Sequence, residues 1–256
     1  MNETLSTSRI RPICGYRSDP YEPNPIEALM HQMMHNGLEY PLVMPNRTFR
    51  RGQHLYRPGA SSKFVYSINR GTFKTYRMGE DGRERILGFH SEGMLLGLDS
   101  LAGRPCHCGA IALDTTVVCQ MPIAGIMAGA DQSKQLRQRI FEQFDDEIDR
   151  LATRLSLRTL PAPQRLGQFL LSIAGTSASV TAPMTNKEIG NYLNLVPETV
   201  SRLLTKFQQR EWLAIQGREI EILDREGLRA QSALGDATPE AHQFIGSVAC
   251  ECSPCA

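Results

Sequence analysis

The spacing of apolar and polar positions changes character twice along the chain. Between residues 47 and 122 the apolar residues fall in short, β-rich or alternating runs: Gln53–Tyr56, Phe64–Asn69, Thr72–Arg77, Arg85–His90, Ala110–Leu113 and Thr116–Met121. Ten glycines from Gly52 to Gly109 punctuate them. Glu80-Asp81-Gly82 is a hairpin signal between two runs. Gly71, and the pair Gly93/Gly97, mark tight turns. Many short strands at close spacing predict a small β-sandwich or barrel. Before them, Asn24 as N-cap and Pro25 in the first turn predict a helix over Ile26–Leu38, stopped near Gly37. Residues 1–23, with Pro12, Pro20 and Pro23, read as an extended arm.

From residue 131 the period becomes helical. Leu136, Ile140, Phe144, Ile148, Leu151 and Leu155 form one narrow stripe along a helix of about six turns. Such a stripe fits a core helix of its own domain or, better, a parallel coiled-coil seam between two copies. Pro161 and Pro163 end the helix. Further on, residues 175–182 are small and polar and read as a loop. Thr185 caps a helix over Asn186–Leu193, with Glu188 completing a capping box. Asn194, Leu195 and Val196 form a turn, and Pro197 opens a second helix to about Gln209. Trp212–Ile215 and Glu219–Ile222 flank Gln216-Gly217-Arg218 as a β-hairpin. Residues 231–256 read as an acidic tail. The expected boundaries are therefore 1–23 arm, 24–130 β domain, 131–160 dimerisation helix, 161–230 winged helix–turn–helix and 231–256 tail.

The chain is 256 residues long, 41% apolar, with a formal charge of +1. Composition and length suit a globular protein of one or two domains. No apolar run is long enough to span a bilayer, and no export signal is visible at the N-terminus, so a cytoplasmic protein with reduced thiols is expected. The charge balance gives no sign of a nucleic-acid partner. Even residues 161–223 carry six basic and five acidic groups, +1. A DNA reader must show itself by motif. No Ser/His/Asp set, paired carboxylate site or phosphate-binding loop is present, so no enzyme is expected.

The motif is in the second helix of the pair. Its apolar face is Val200, Leu203, Leu204 and Phe207, and its polar face is Glu198, Thr199, Ser201, Arg202 and Lys206. Glu198, Ser201 and Arg202 stand at i, i+3 and i+4 near the helix start, the part that reaches base edges in a major groove. Arg grips guanine O6 and N7, Glu accepts from cytosine N4, and a Ser hydroxyl adapts to either. Arg210 and Arg218 near the hairpin suit phosphate.

IGNYLNLVPETVSRLLTKFQ resembles the recognition region of the CRP/FNR superfamily of bacterial transcription regulators. GTFKTYRMGEDGRERILGFHSEGMLLGLDSL (71–101) is similar to that family's β-roll, and TTVVCQMP (115–122) to its closing strand. The resemblance spans roughly residues 26–223. It implies an α+β protein with an N-terminal cyclic-nucleotide-binding-like β-roll, a long dimerisation helix and a C-terminal winged helix–turn–helix. Glu198, Ser201 and Arg202 match the E-x-x-S-R pattern of the FNR branch. By that analogy Glu198 and Arg202 read a G·C step, Ser201 reads a T, and the target is a palindrome with TTGAT-like halves. The implied partners are double-stranded DNA, a second copy and RNA polymerase. The cyclic-AMP branch usually has Arg where this chain has Pro197. The competing reading is a ligand-binding module whose C-terminal helices dock a protein.

The resemblance also frames the sensory question. Cyclic-nucleotide binders of this fold place a Glu after their G-x-x-x-G loop and an Arg-Ser pair beyond it. Here Gly93–Asp99 has no such Glu, and Arg104-Pro105-Cys106-His107-Cys108 replaces the pair, which argues against that ligand. The FNR branch holds a four-iron cluster on three N-terminal cysteines and one on the strand matching Cys119. This arm holds Cys14 alone. Cys106, Cys108, Cys119 and the tail's Cys250, Cys252 and Cys255 could compose a rearranged cluster site, a thiol switch, or simply a buried thiol with free companions. His31 and His35, at i and i+4, have metal-binding spacing, against the alternative of a packed helix among Met30, Met33 and Met34.

Overall fold

The computed structural model describes residues 24–35 and 44–233. The arm (1–23), residues 36–38 of the expected first helix and the tail beyond Ala233 lie outside them. The chain divides into two compact units, one from residues 1–158 with 183–201, the other from 159–182 with the residues from 202 on.

In the first unit, α1 (Pro25–His35) precedes eight strands: β1 (Met44–Phe49), β2 (His54–Tyr56), β3 (Phe64–Arg70), β4 (Phe73–Met78), β5 (Glu84–His90), β6 (Leu95–Leu96), β7 (Gly109–Ala112) and β8 (Thr116–Pro122). They form two antiparallel four-stranded sheets, ordered β1-β8-β3-β6 and β2-β7-β4-β5. Strand alternation explains how one sheet serves two cores. Tyr66, Leu96 and Val118 face the other sheet, joining Phe49, Tyr56 and Phe73. Their neighbours Val65, Leu95 and Cys119 face outward and meet Ile26, Met30, Ile126 and Leu136 from helices. Gly71 has φ +86°, and a Cβ there would lie 2.6 Å from Asp114 Oδ1, so the β3–β4 turn requires glycine.

The helical stretch begins earlier than its periodicity suggests. Helix α2 (Ile123–Gln132) follows β8 directly and was not anticipated from the sequence, because IAGIMAGADQ contains two glycines, which are poor helix formers. Tertiary packing overrides that preference. Gly129 lies so close to Leu136 that a Cβ would sit 2.9 Å from its Cδ2. Ser133 is extended and its hydroxyl accepts from the Leu136 N–H, starting a new helix, α3 (Lys134–Leu157). The expected helix over 131–160 is therefore α3, shortened at both ends.

The other unit contains α4 (Ala162–Ala174), the hairpin β10 (Leu213–Gln216) and β11 (Glu219–Ile222), and α7 (Arg225–Ala233). The loop expected over 175–182 is corrected. Ser179–Thr181 is strand β9, pairing with β11 through Val180 opposite Ile220. Three residues are too few to give a periodic signal, even with Val180 and Thr181 β-branched; the hairpin supplies the template. Helix α7 likewise runs into the segment read as tail. Between them, α5 (Asn186–Leu193) and α6 (Pro197–Gln209) form the helix–turn–helix, with the unit boundary falling within α6.

Candidate nucleic-acid interface and sensory residues

The start of α5 is held by a reciprocal cap. Thr185 Oγ1 accepts from the Glu188 N–H at 3.2 Å, and Glu188 Oε2 accepts from the Thr185 N–H at 2.9 Å. Asn194 ends the helix in the left-handed region (φ 56°, ψ 50°). The Leu195 N–H then donates to Gly190 O at 2.8 Å. A Cβ on Gly190 would lie 2.6 Å from Leu195 O, so the tight turn requires glycine there. Pro197 opens α6, and the Val196 carbonyl accepts from the Thr199 N–H at 3.0 Å.

Helix α6 is divided by burial. Val200, Leu204 and Phe207 are buried, whereas Glu198, Ser201, Arg202 and Lys206 are exposed and Thr199 is half-buried. The polar face is thus presented to solvent by a framed helix. In the wing, Gly217 (φ 62°) closes the β10–β11 turn and Arg218 is exposed. Arg210 lies over the Trp212 ring, 4.8 Å from its centroid, which holds one basic group beside the hairpin.

Helix α5 also makes contacts that the sequence did not signal. Asn191 Oδ1 accepts from the Ile86 N–H of β5 at 2.7 Å, and its Nδ2 donates to Glu84 O at 2.7 Å. Lys74 Nζ lies 2.6 Å from Glu84 and 3.1 Å from Glu188. Burial alone would lower the Lys74 pKa, but the bonds to these two carboxylates raise it overall, and they help to hold Glu188 below the usual carboxylate range. Arg154 of α3 donates to Ile86 O at 2.6 Å and stands over the Tyr192 ring at 4.7 Å. No motif spacing reports such long-range pairs.

The α3 stripe separates into two parts. Leu136 is wholly buried in the α1–α2–β8 core of its own chain, and Ile140 packs against that core. Phe144, Ile148, Leu151 and Leu155 are exposed. So is Phe141, which the sequence reading passed over. Phe141, Phe144, Ile148, Leu151 and Leu155 recur at 3, 4, 3 and 4, the alternation of coiled-coil core positions. That alternation is the signal that could have found Phe141.

The described cysteines do not gather. Cys106 lies in the core between the sheets, its Sγ 3.2 Å from Ser100 Oγ, and Cys108 packs beside it. Burial, with the nearby Asp99 charge, pushes the Cys108 thiol up to about 11, so it stays protonated at neutral pH. Cys119 belongs to the other core. The described residues therefore do not assemble the four thiolates that a four-iron cluster needs; Cys14, Cys250, Cys252 and Cys255 lie outside them. In the loop between β6 and β7, Asp99 Oδ2 accepts from the His107 N–H at 2.8 Å. His31 Nε2 stands 3.8 Å from Glu27 Oε1. The side chain of His35 is outside the described residues.

Two families match. Residues 46–132 match the cyclic nucleotide-binding domain and residues 164–231 the Crp-like helix–turn–helix domain. The transcriptional activator protein Anr of Pseudomonas protegens is 36% identical over 191 residues, covering 72% of this chain and 78% of that protein. The chain belongs to the CRP/FNR family of transcription regulators. The fumarate and nitrate reduction regulatory protein of Vibrio cholerae is 33% identical over 193 residues, covering 72% and 76% of the two chains. FixK2 from Bradyrhizobium japonicum has the same fold, with a TM-score of 0.70 at 25% identity, covering 76% of this chain and 99% of its own. This regulator is thus a DNA-binding transcription factor of FNR type and not an enzyme. Its fold is α+β, a β-roll with a long helix and a C-terminal helix–turn–helix. No described helix is long and apolar enough to cross a membrane.

Proposed function

We propose that this CRP/FNR regulator acts in the cytoplasm as a homodimer on a palindrome with TTGAT-like halves. Glu198 and Arg202 read the G·C step of each half, Ser201 reads the adjacent T, and Thr199 and Lys206 support the helix on the duplex. The observation that carries this reading is the exposed set on α6, raised on a capped α5 and a glycine-dependent turn. The exposed stripe from Phe141 to Leu155 supports a second copy as partner, since its 3–4 alternation repeats along one face of α3. RNA polymerase is the further partner. An oxygen or redox signal is supported by the names of its relatives, among them an anaerobic regulatory protein of Haemophilus influenzae, 34% identical over 195 residues.

The experiment is fluorescence anisotropy on a labelled TTGAT-type duplex and on a duplex altered at the G·C step, at fixed salt. Arg202→Ala loses about 1–3 kcal/mol per half-site and, with it, the preference between the two duplexes. Unchanged affinity and unchanged preference would show that Arg202 is not the reader. A chain that dimerises normally yet binds no duplex at any salt concentration would favour a protein-docking module.

A further inference from the structure

One edge of the β-roll is met by side chains where a further strand would stand. Strand β5 is outermost in the order β2-β7-β4-β5. An outermost strand leaves a row of backbone N–H and C=O groups without ladder partners. Asn191 of α5 meets two of them: its Oδ1 accepts from the Ile86 N–H and its Nδ2 donates to Glu84 O, each at 2.7 Å. An amide side chain carries a donor and an acceptor, as a peptide group does, so Asn191 substitutes for one residue of a neighbouring strand. That side chain takes no part in the capping box or the buried face of α5, which Thr185, Glu188, Ile189 and Leu193 form.

The strand is shaped for two helices. The β4–β5 register passes from Tyr76 opposite Ile86 to Thr75 opposite Gly88 and skips Leu87, a bulge that leaves Leu87 outside the ladder. The Ile86 and Leu87 carbonyls both accept from the guanidinium of Arg154 on α3. Tyr192, next to Asn191, packs its ring 5.2 Å from that of Phe89, and Arg154 lies over its other side, 4.7 Å from the centroid. Lys74 of β4 bridges Glu84 Oε1 and Glu188 Oε1, while Glu188 Oε2 caps α5. Residues 84–89 therefore hold α3 and α5 together.

We propose that Asn191 is a positioning residue that fixes the distance between half-sites the regulator accepts. The inference rests on the reading of α3 as the dimer seam and α6 as the DNA reader. The turn from α5 to α6 is closed by the Leu195 N–H on Gly190 O, so the first turn of α6 moves with α5. Helix α5 is bonded to β5, and β5 to α3. In a two-fold dimer joined along α3, this chain of contacts sets the first turn of each α6 against its counterpart. Asn191 thus governs where the reader stands, not which base it reads. One base pair added or removed between the halves moves a half-site by about 3.4 Å and turns it by about 34–36°. A reader held by directional bonds follows only by breaking them, and loss of two neutral hydrogen bonds lowers affinity by a factor of roughly 5–150.

The test is fluorescence anisotropy of the full chain on TTGAT-type palindromes with the best-bound spacer and with spacers one base pair shorter and longer, at fixed salt. The wild type is expected to lose at least ~10-fold in affinity on the altered spacers and Asn191→Ala no more than ~3-fold, with discrimination against a duplex altered at the G·C step unchanged. Hydrogen exchange on the same chains should show a faster Ile86 amide and an unchanged β4–β5 ladder. If the ladder opens too, Asn191→Asp replaces Asn191→Ala; this isostere keeps the acceptor for Ile86, sets an oxygen against Glu84 O, and should relax the spacing in the same sense. A wild-type spacing penalty that persists once the Asn191 contact is lost would overturn the proposal. So would relaxed spacing accompanied by lost G·C discrimination, which a general loosening of the reader would produce. A wild type that binds no duplex of the series would remove the DNA reading and this inference with it, whereas one that binds every spacer equally would remove the inference alone.

Discussion

Ile148→Asp should break the proposed homodimer without unfolding the protomer. Ile148 lies mid-stripe and is 62% exposed in the single chain. Full burial of an Ile side chain stabilises by about 1.5–3 kcal/mol, so covering the exposed share contributes about 1–2 kcal/mol per copy. In a two-fold dimer each protomer buries its own Ile148, giving about 2–4 kcal/mol in all. The substitution loses that amount and sets two carboxylates at one seam. The dimer dissociation constant should therefore rise at least roughly 30- to 900-fold. Sedimentation velocity over a dilution series measures it, and a thermal melt checks the protomer. Leu136→Ala is the control. Leu136 is buried within its own chain, so that change should cost about 2–5 kcal/mol of protomer stability. If Ile148→Asp left the dissociation constant unchanged while the protomer stayed folded, the exposed stripe would not be the dimer seam.

Two further outcomes follow from the core of the β-roll and from the reader. Burial, aided by Arg150, pushes the His90 imidazole down to about 4, and Thr75 Oγ1 meets its Nε2 at 3.0 Å. The folded pKa lies below the unfolded one, so the unfolded chain takes up the proton first as pH falls. Stability is intact above about pH 6.5 and declines toward pH 4, by on the order of 3 kcal/mol; His90→Gln should flatten that decline in urea melts, and an unchanged slope would point to other groups. Gly190→Ala puts a Cβ 2.6 Å from Leu195 O, a backbone atom with little room to yield, and should cost about 1–3 kcal/mol and most DNA affinity. Retained stability and affinity, by melt and anisotropy, would mean that the turn relaxes.

Where a signal was local, the sequence carried it. The Thr185–Glu188 box, the Asn194 turn, Pro197 and the two faces of α6 each depend on residues three or four apart, and each is found where expected. The strand runs were legible for the same reason, since glycine and alternation mark both ends and faces. What was missed depends on distant partners. Helix α2 packs where Gly129 admits Leu136, and β9 forms because β11 offers it an edge. The six-residue stripe mixed two destinations: spacing shows that residues share a face but not where along the helix the protomer's own core ends. Leu136 and Ile140 lie inside it, and the face beyond them is exposed.

The same distinction bears on how a sensory event can reach the reader. Glu188 caps α5 and also meets Lys74 of β4, while Asn191 of α5 bonds both a donor and an acceptor of β5. Arg154 of α3 joins the same stretch of β5 through the Ile86 carbonyl. The helix behind the reader, the stripe-bearing helix and a β-roll strand thus converge on residues 84–87. These are directional bonds, and a strand displaced by a few tenths of an ångström retains them while one displaced by more loses several together. An effector that acts through this junction must favour one arrangement of β5 over another by differential binding, because equal affinity for both shifts nothing. The junction involves none of the residues proposed to read bases, Glu198, Ser201 and Arg202, so weakening it should alter the response to a signal more than the sequence that is read.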